Sequence, residues 1–78
     1  MKELEFLQYL LENIVSKPED IKIERKEDEL GILLTLSVNK DDMGIIIGKG
    51  GSTINSIRSI MRLLGMKLNK RVNVKVLD

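Results

Sequence analysis

The stretch at residues 48–51 reads Gly-Lys-Gly-Gly, and these residue types at this spacing suit the binding of a phosphate group. Glycine tolerates positive φ angles, and because it lacks a Cβ it lets the main chain approach a ligand closely. Amides at the start of a following helix can then face an anion, which the helix dipole also favours. Lys49 adds a mobile positive charge beside these amides. The stretch is therefore the first candidate site.

Other glycine motifs fit the stretch less well. A Walker-type loop needs four residues between its glycines and a hydroxyl after the lysine, but only three residues separate Gly44 from Gly48, and Gly50 follows Lys49. A Rossmann fingerprint needs Gly-x-Gly-x-x-Gly directly after a strand, which this stretch does not supply. A plain helix–helix turn remains an alternative. Three glycines around one lysine favour phosphate binding over that alternative.

The charge is distributed unevenly along the chain, although the net charge is only +1. Residues 1–48 hold six Lys or Arg against eleven Asp or Glu, whereas residues 49–78 hold seven against one. The sign therefore changes at Lys49, inside the candidate loop. This asymmetry fits an anion-binding face, and its alternative is a charge pattern that serves solubility alone.

Composition excludes several classes of protein. The chain has 78 residues, which is enough for one domain over residues 1–78. It contains no cysteine and no histidine, so disulfides, thiolate metal sites and the commonest general base are absent. Its apolar runs are too short to span a membrane, and its N-terminus does not resemble a signal peptide. We therefore expect a cytoplasmic protein that is not an enzyme and holds no cofactor or metal.

The apolar periodicity predicts the elements that must position the loop. Residues 3–15 have helical spacing, and Pro18 ends that helix. Alternation predicts a strand from Ile21 to about Lys26, a charged turn at residues 27–29, and a second strand at residues 32–38. These two strands should form a hairpin.

The second half of the chain should contain two helices and a last strand. Asp41 or Asp42 can cap a short helix at residues 43–47, which the glycines interrupt. A longer helix should start at Ser52 or Thr53 and stop at Gly65. Its predicted inward residues are Ile54, Ile57, Ile60, Met61 and Leu64, and its predicted outward residues are Asn55, Arg58 and Arg62. Residues 72–76 alternate as the last strand.

The resulting order is α-β-β-α-α-β, an α+β fold. The last strand is reached from the second through two helices, and so long a crossover allows the two strands to lie parallel. The prediction is a three-stranded mixed sheet covered on one face by three helices.

Residues 46–54 read Ile-Ile-Gly-Lys-Gly-Gly-Ser-Thr-Ile, which resembles the Ile-Gly-x-x-Gly-x-x-Ile signature of KH domains between two helices. The added N-terminal helix and strand resemble the type II KH arrangement. A short chain with Asp-Met-Gly before the motif and Ile-Arg after it is similar to the small bacterial KhpA-type RNA-binding family. The resemblance covers essentially the whole chain, and it implies a Gly-x-x-Gly loop that clamps the backbone of single-stranded RNA.

The resemblance also implies which residues contact RNA. It places the bases in a groove between the helices that flank the loop and an edge of the sheet. The implied RNA-binding residues are Ile47, Gly48, Lys49, Gly50, Gly51, Ser52, Ile54, Ile57 and Arg58. Ile54 and Ile57 could instead belong only to the core. Arg58, which shares a helix face with Arg62, could instead lie on a solvated face.

Other side chains receive plainer interpretations. The only aromatic residues are Phe6 and Tyr9, so stacking of bases on aromatic rings is not expected. The Asp41-Asp42 pair is interpreted as a helix cap rather than a metal site, since it lacks further ligands. The basic residues Lys67, Lys70 and Arg71 are expected to act through general electrostatic attraction.

The resemblance implies a non-catalytic RNA chaperone or post-transcriptional regulator, linked to bacterial cell elongation and division. It also implies a homodimer, or a heterodimer with a second KH-containing protein. A rival hypothesis is a protein-interaction module that uses the glycine loop in a dimer interface and binds RNA weakly or not at all. The low net charge and the isoleucines at residues 45–47 favour this rival.

Overall fold

The computed structural model describes residues 2–77. In chain order its helices and strands are α1 (Lys2–Glu12), β1 (Lys22–Asp28), β2 (Gly31–Ser37), α2 (Met43–Ile47), α3 (Ser52–Leu68) and β3 (Val72–Val76). Short 3₁₀ turns lie at Pro18–Asp20, Lys40–Asp42 and Lys49–Gly51. This order confirms the predicted α-β-β-α-α-β arrangement. None of the helices within these residues is long and apolar enough to cross a membrane.

The sheet is mixed, as predicted, with the strand order β1-β2-β3. β1 and β2 form an antiparallel hairpin, and β2 and β3 are parallel, with Ile32 opposite Val72 and Leu36 opposite Val76. The crossover through α2 and α3 brings β3 back to β2 in this direction. β3 is therefore an edge strand.

The core lies between one face of the sheet and the helices. Leu34 and Leu36 of β2, Leu7 and Leu11 of α1 and Met61 of α3 are completely buried. Leu33, which points to the opposite face of the sheet, is exposed, so only one face is covered. This arrangement confirms the α+β class.

The charged turn of the hairpin is shorter than predicted. β1 continues through Glu27 and Asp28, and the turn consists of Glu29 and Leu30. The carboxylate of Asp28 accepts the main-chain N–H of Leu30 at 2.8 Å. Ion pairs to both Arg25 and Lys70 hold Glu27 in the strand, at N–O distances of 2.7 and 2.8 Å. Local contacts, together with the distant ion pair to Lys70, thus accompany a strand that is longer than its composition predicts.

The first helix is also shorter than predicted, since it ends at Glu12 rather than at residue 15. The N–H of Ile14 and that of Val15 both donate to the main-chain oxygen of Leu11, at 3.0 Å. Val15 is still buried, so its place in the helical pattern reflects core packing beyond the helix end.

Gly65 does not end the longer helix. α3 continues to Leu68, and the left-handed residue that follows it is Asn69, with φ 57°. Gly65 is buried, and a Cβ there would overlap the main-chain oxygen of Lys70 and touch Val72. The glycine therefore permits close packing of the helix against the start of β3. Ile60, predicted to face inward, is 40 % exposed.

Asp42 does not cap α2 with its side chain, contrary to the prediction. Its carboxylate accepts hydrogen bonds from the N–H and the hydroxyl of Ser16, at 2.9 and 2.7 Å, and from the N–H of Lys17, at 3.2 Å. Asp41 pairs with Nζ of Lys17 at 3.0 Å. The two aspartates therefore fasten the segment after α1 to the turn that leads into α2.

Candidate nucleic-acid interface

The loop between α2 and α3 requires its three glycines. Gly48, Gly50 and Gly51 have φ angles of 75°, 64° and 82°, which are unfavourable for residues with a Cβ. At Gly48, a Cβ would also overlap the side chain and the main-chain nitrogen of Thr53. At Gly50, the position of a Cβ is open space. The main chain is therefore accessible at the middle of the loop and tightly packed at its start.

The hydrogen bonds within the loop leave the amides at its tip without a partner. The N–H of Gly51 donates to the oxygen of Gly48 at 3.3 Å, and the N–H of Ser52 donates to the oxygen of Lys49. Across residues 2–77, the N–H groups of Lys49 and Gly50 have no intramolecular acceptor. The tip of the loop therefore offers two free amides to a ligand anion.

The electrostatic surroundings of the loop favour an anion. Lys49 and Ser52 are exposed, and Lys49 forms no ion pair with any residue in the described range. α3 begins after Gly51 without a side-chain cap, so the positive end of its dipole is not offset by a side chain. A mobile cation and the start of a long helix thus lie beside the two free amides.

Arg58 is held between α3 and the edge of the sheet. Its Nε donates to the main-chain oxygen of Val74 at 3.1 Å, and its Nη1 donates to Oδ1 of Asn55 at 3.2 Å. The side chain is only partly exposed. Arg58 is therefore neither part of the core nor a freely solvated residue, and it lies in a fixed position above β3.

α3 and the outer edge of β3 lie side by side. The oxygen of Arg71 and the N–H of Leu77 bond to β2, whereas the oxygen of Val74 faces the opposite side. Because the chain reverses between α3 and β3, the loop end of α3 lies near the end of β3. Gly65 packs against Val72 at the other end. The side of α3 that contacts β3 therefore extends from the glycine loop, past Arg58, to the start of β3.

The isoleucines of the motif divide into two groups. Ile54 and Ile57 are 4 % and 3 % exposed and belong to the core, where they support α3 from below. Ile47 is 37 % exposed and Ile45 is 52 % exposed. Of the predicted apolar groove residues, only Ile47 therefore offers substantial surface to a ligand.

Sequence reasoning missed the partners of Arg58. Asn55 stands three residues before it, a spacing that brings helix side chains together and could have indicated the contact. The bond to the main-chain oxygen of Val74 has no local signal, because it joins α3 to β3 between residues 16 apart in the sequence.

The chain was compared with known proteins. The family model described as "KhpA/KhpB, KH domain" matches residues 4–76. The RNA-binding protein KhpA of Chlamydia pneumoniae is 38 % identical over 74 residues, which cover 95 % of each chain. The proteins of the same name from Clostridium perfringens and Bacillus subtilis are 36 % and 34 % identical, over 99 % and 95 % of this chain and 100 % and 91 % of their own. The chain therefore belongs to the KhpA/KhpB KH-domain family.

Proposed function

We propose that this chain binds single-stranded RNA without catalysing a reaction, and that the loop at residues 48–51 holds the RNA backbone. The observation that carries the proposal is the pair of free amides at Lys49 and Gly50, presented by three glycines with positive φ. Relatives that align over nearly their whole length are named RNA-binding proteins, which supports the same class of ligand.

In this proposal the backbone and the bases of the RNA meet different surfaces. Phosphates lie at the tip of the loop, where Lys49, Gly50 and Ser52 are exposed. The adjoining bases lie in the groove toward β3, where Ile47 offers apolar contact and Arg58 offers its remaining guanidinium protons. Gly48 and Gly51 shape the loop, and Ile54 and Ile57 support it from the core. Such contacts position the RNA strongly but distinguish sequences weakly.

We further propose that the protein acts as an RNA chaperone or a post-transcriptional regulator in the bacterial cytoplasm, linked to cell elongation and division. A single loop of this kind holds only about four nucleotides. Pairing with a second copy or with a second KH-containing protein would strengthen binding through effective concentration. The relatives named above are all bacterial.

The proposal is tested with the double variant Lys49→Asp and Gly50→Asp, which places negative charge at the free amides. Binding of mixed-sequence single-stranded RNA should fall sharply while the circular dichroism spectrum stays native. A matched control, Lys22→Asp with Asn13→Asp, makes the same change in net charge at exposed positions on β1 and after α1. Equal binding by the two double variants would overturn the assignment of the loop.

A second candidate is a protein-interaction module that uses the glycine loop in a dimer interface. Its supporting observation is the exposure of Ile45 and Ile47 beside the loop, at 52 % and 37 %. Sedimentation velocity of the wild type and of Ile45→Asp tests it. A dimer that Ile45→Asp dissociates, together with no RNA binding, would favour this candidate. A steep salt dependence of RNA binding would favour the first proposal.

A further inference from the structure

A second cationic site lies beside the C-terminal half of α3, at the opposite end of this helix from the glycine loop. It is an open pocket of about 440 Å³ beside the start of β3, and a cavity of this size is in the range that holds small ligands. Its lining residues are Arg62, Met66, Lys70, Arg71, Val72 and Asn73. Three of these six residues carry positive charge, and none carries negative charge.

Two of the three cations are free to meet a ligand. Within residues 2–77, neither the side chain of Arg62 nor that of Arg71 has a hydrogen-bond or ion-pair partner. Lys70 shares its charge with Glu27 at 2.8 Å. The pocket therefore has an excess of positive charge that nothing in the described protein neutralises, and it suits an anion that can accept from a planar guanidinium.

The pocket also has an apolar side and a fixed relation to the loop. Met66 is 73 % exposed and flexible enough to pack against a flat ligand, and Val72 forms part of the wall. Arg62 lies one turn beyond Arg58 on α3 and ten residues beyond Ser52, which corresponds to about 15 Å along the helix axis. The glycine loop, Arg58 and the pocket therefore follow one another along the same side of α3.

We propose that this pocket binds a nucleotide of the same single-stranded RNA, beyond the segment held by the loop. Arg62 and Arg71 contact its phosphate, and Met66 packs against its base. An RNA strand carries a row of phosphates, so one strand supplies an anion to the loop and another to this pocket. A free phosphate ion supplies only one. This inference rests on the proposed function of the loop. It assigns Arg71 a defined contact with the RNA, whereas the sequence predicted only a general electrostatic attraction.

The test uses the full chain and two mixed-sequence RNAs, of four and ten nucleotides. The variant Arg62→Gln with Arg71→Gln is compared with Lys22→Gln with Lys67→Gln, which removes the same charge outside the pocket. For the ten-nucleotide RNA, measured by fluorescence anisotropy, the pocket variant should bind more weakly than the control. Its plot of log affinity against log salt should be shallower by about 0.7, the contribution of one phosphate contact on a single strand. For the four-nucleotide RNA, followed by NMR shifts, the two variants should agree.

The possible failures are distinguishable. If the pocket variant matches the control on the ten-nucleotide RNA, while Lys49→Asp with Gly50→Asp weakens binding of both RNAs, the pocket assignment is wrong and the loop assignment stands. If the loop variant weakens neither RNA, or the wild type binds neither, the proposed function is wrong and the pocket assignment falls with it.

Discussion

Arg58 of α3 and Val74 of β3 are joined by a hydrogen bond in which the guanidinium Nε donates to the main-chain oxygen, 3.1 Å away. This oxygen lies on the outer edge of the sheet, on the side that does not pair with β2. The bond therefore ties the helix that follows the glycine loop to the edge strand. Through it, the two walls of the proposed RNA groove are held at a fixed separation.

Replacement of Arg58 by alanine should weaken both the fold and RNA binding. We expect the free energy of unfolding to fall by about 1 kcal/mol, because the bonds to Val74 and Asn55 are lost from a partly exposed site. Urea unfolding measures this. Arg58→Lys is the control, since it keeps the charge without the planar fork. The lysine variant should recover more RNA affinity than stability. If the alanine variant were as stable as the wild type, the bond between Arg58 and Val74 would not hold α3 against β3.

Replacement of Gly65 by alanine should destabilise the protein by about 2 kcal/mol, although alanine is usually the better helix former. The added Cβ would overlap the oxygen of Lys70 and push α3 away from β3. Gly44→Ala in α2 is the matched control, because nothing lies near its Cβ position and it should stabilise by up to about 1 kcal/mol. Thermal or urea unfolding measures the stability of both variants. If helix propensity alone decided the outcome, alanine would stabilise the protein at both positions, whereas close packing predicts opposite signs.

The loop glycines should differ in their tolerance of alanine. Gly48→Ala should cost at least about 2 kcal/mol, because a left-handed φ and overlap with Thr53 act together. Gly50→Ala should cost only about 1 kcal/mol, since its Cβ would lie in open space and only the backbone angle is unfavourable. Urea denaturation provides both values, and equal costs would contradict the packing of Gly48 against Thr53.

Stability should fall at acid pH in part through Asp42. The N–H and hydroxyl of Ser16, with the N–H of Lys17, hold the pKa of this carboxyl below its ordinary value of 3.8. The carboxylate therefore stabilises the fold fully above that ordinary value, and this contribution is lost as the pH falls through the lower pKa of the folded state.

The Asp42→Asn variant tests this dependence by urea unfolding between pH 7 and pH 2.5. It should be less stable than the wild type at pH 7, and the difference between the two should shrink as the pH falls. A difference that stays constant over this range would show that the charge of Asp42 does not contribute.

Much of the fold follows from local patterns in the sequence. The period of two in residues 32–38 and 72–76 and the helical spacing in residues 52–64 are enough to predict the elements and their order, because one face of each element must be buried. The glycines at residues 48, 50 and 51 likewise mark the candidate loop, since a left-handed main chain restricts the residue type directly.

Tertiary structure alone decided what several single residues do. Glycine is a residue type that often ends helices, yet Gly65 lies within α3 and allows α3 and β3 to pack closely. Aspartate is a residue type that often caps helices, yet the carboxylate of Asp42 accepts hydrogen bonds from a segment about 25 residues away in the sequence. Similarly, Arg62 and Arg71 come to one pocket only when α3 and β3 pack together. Sequence determined the elements and the loop because these depend on neighbouring residues, whereas the partners of individual side chains depend on which distant surfaces meet.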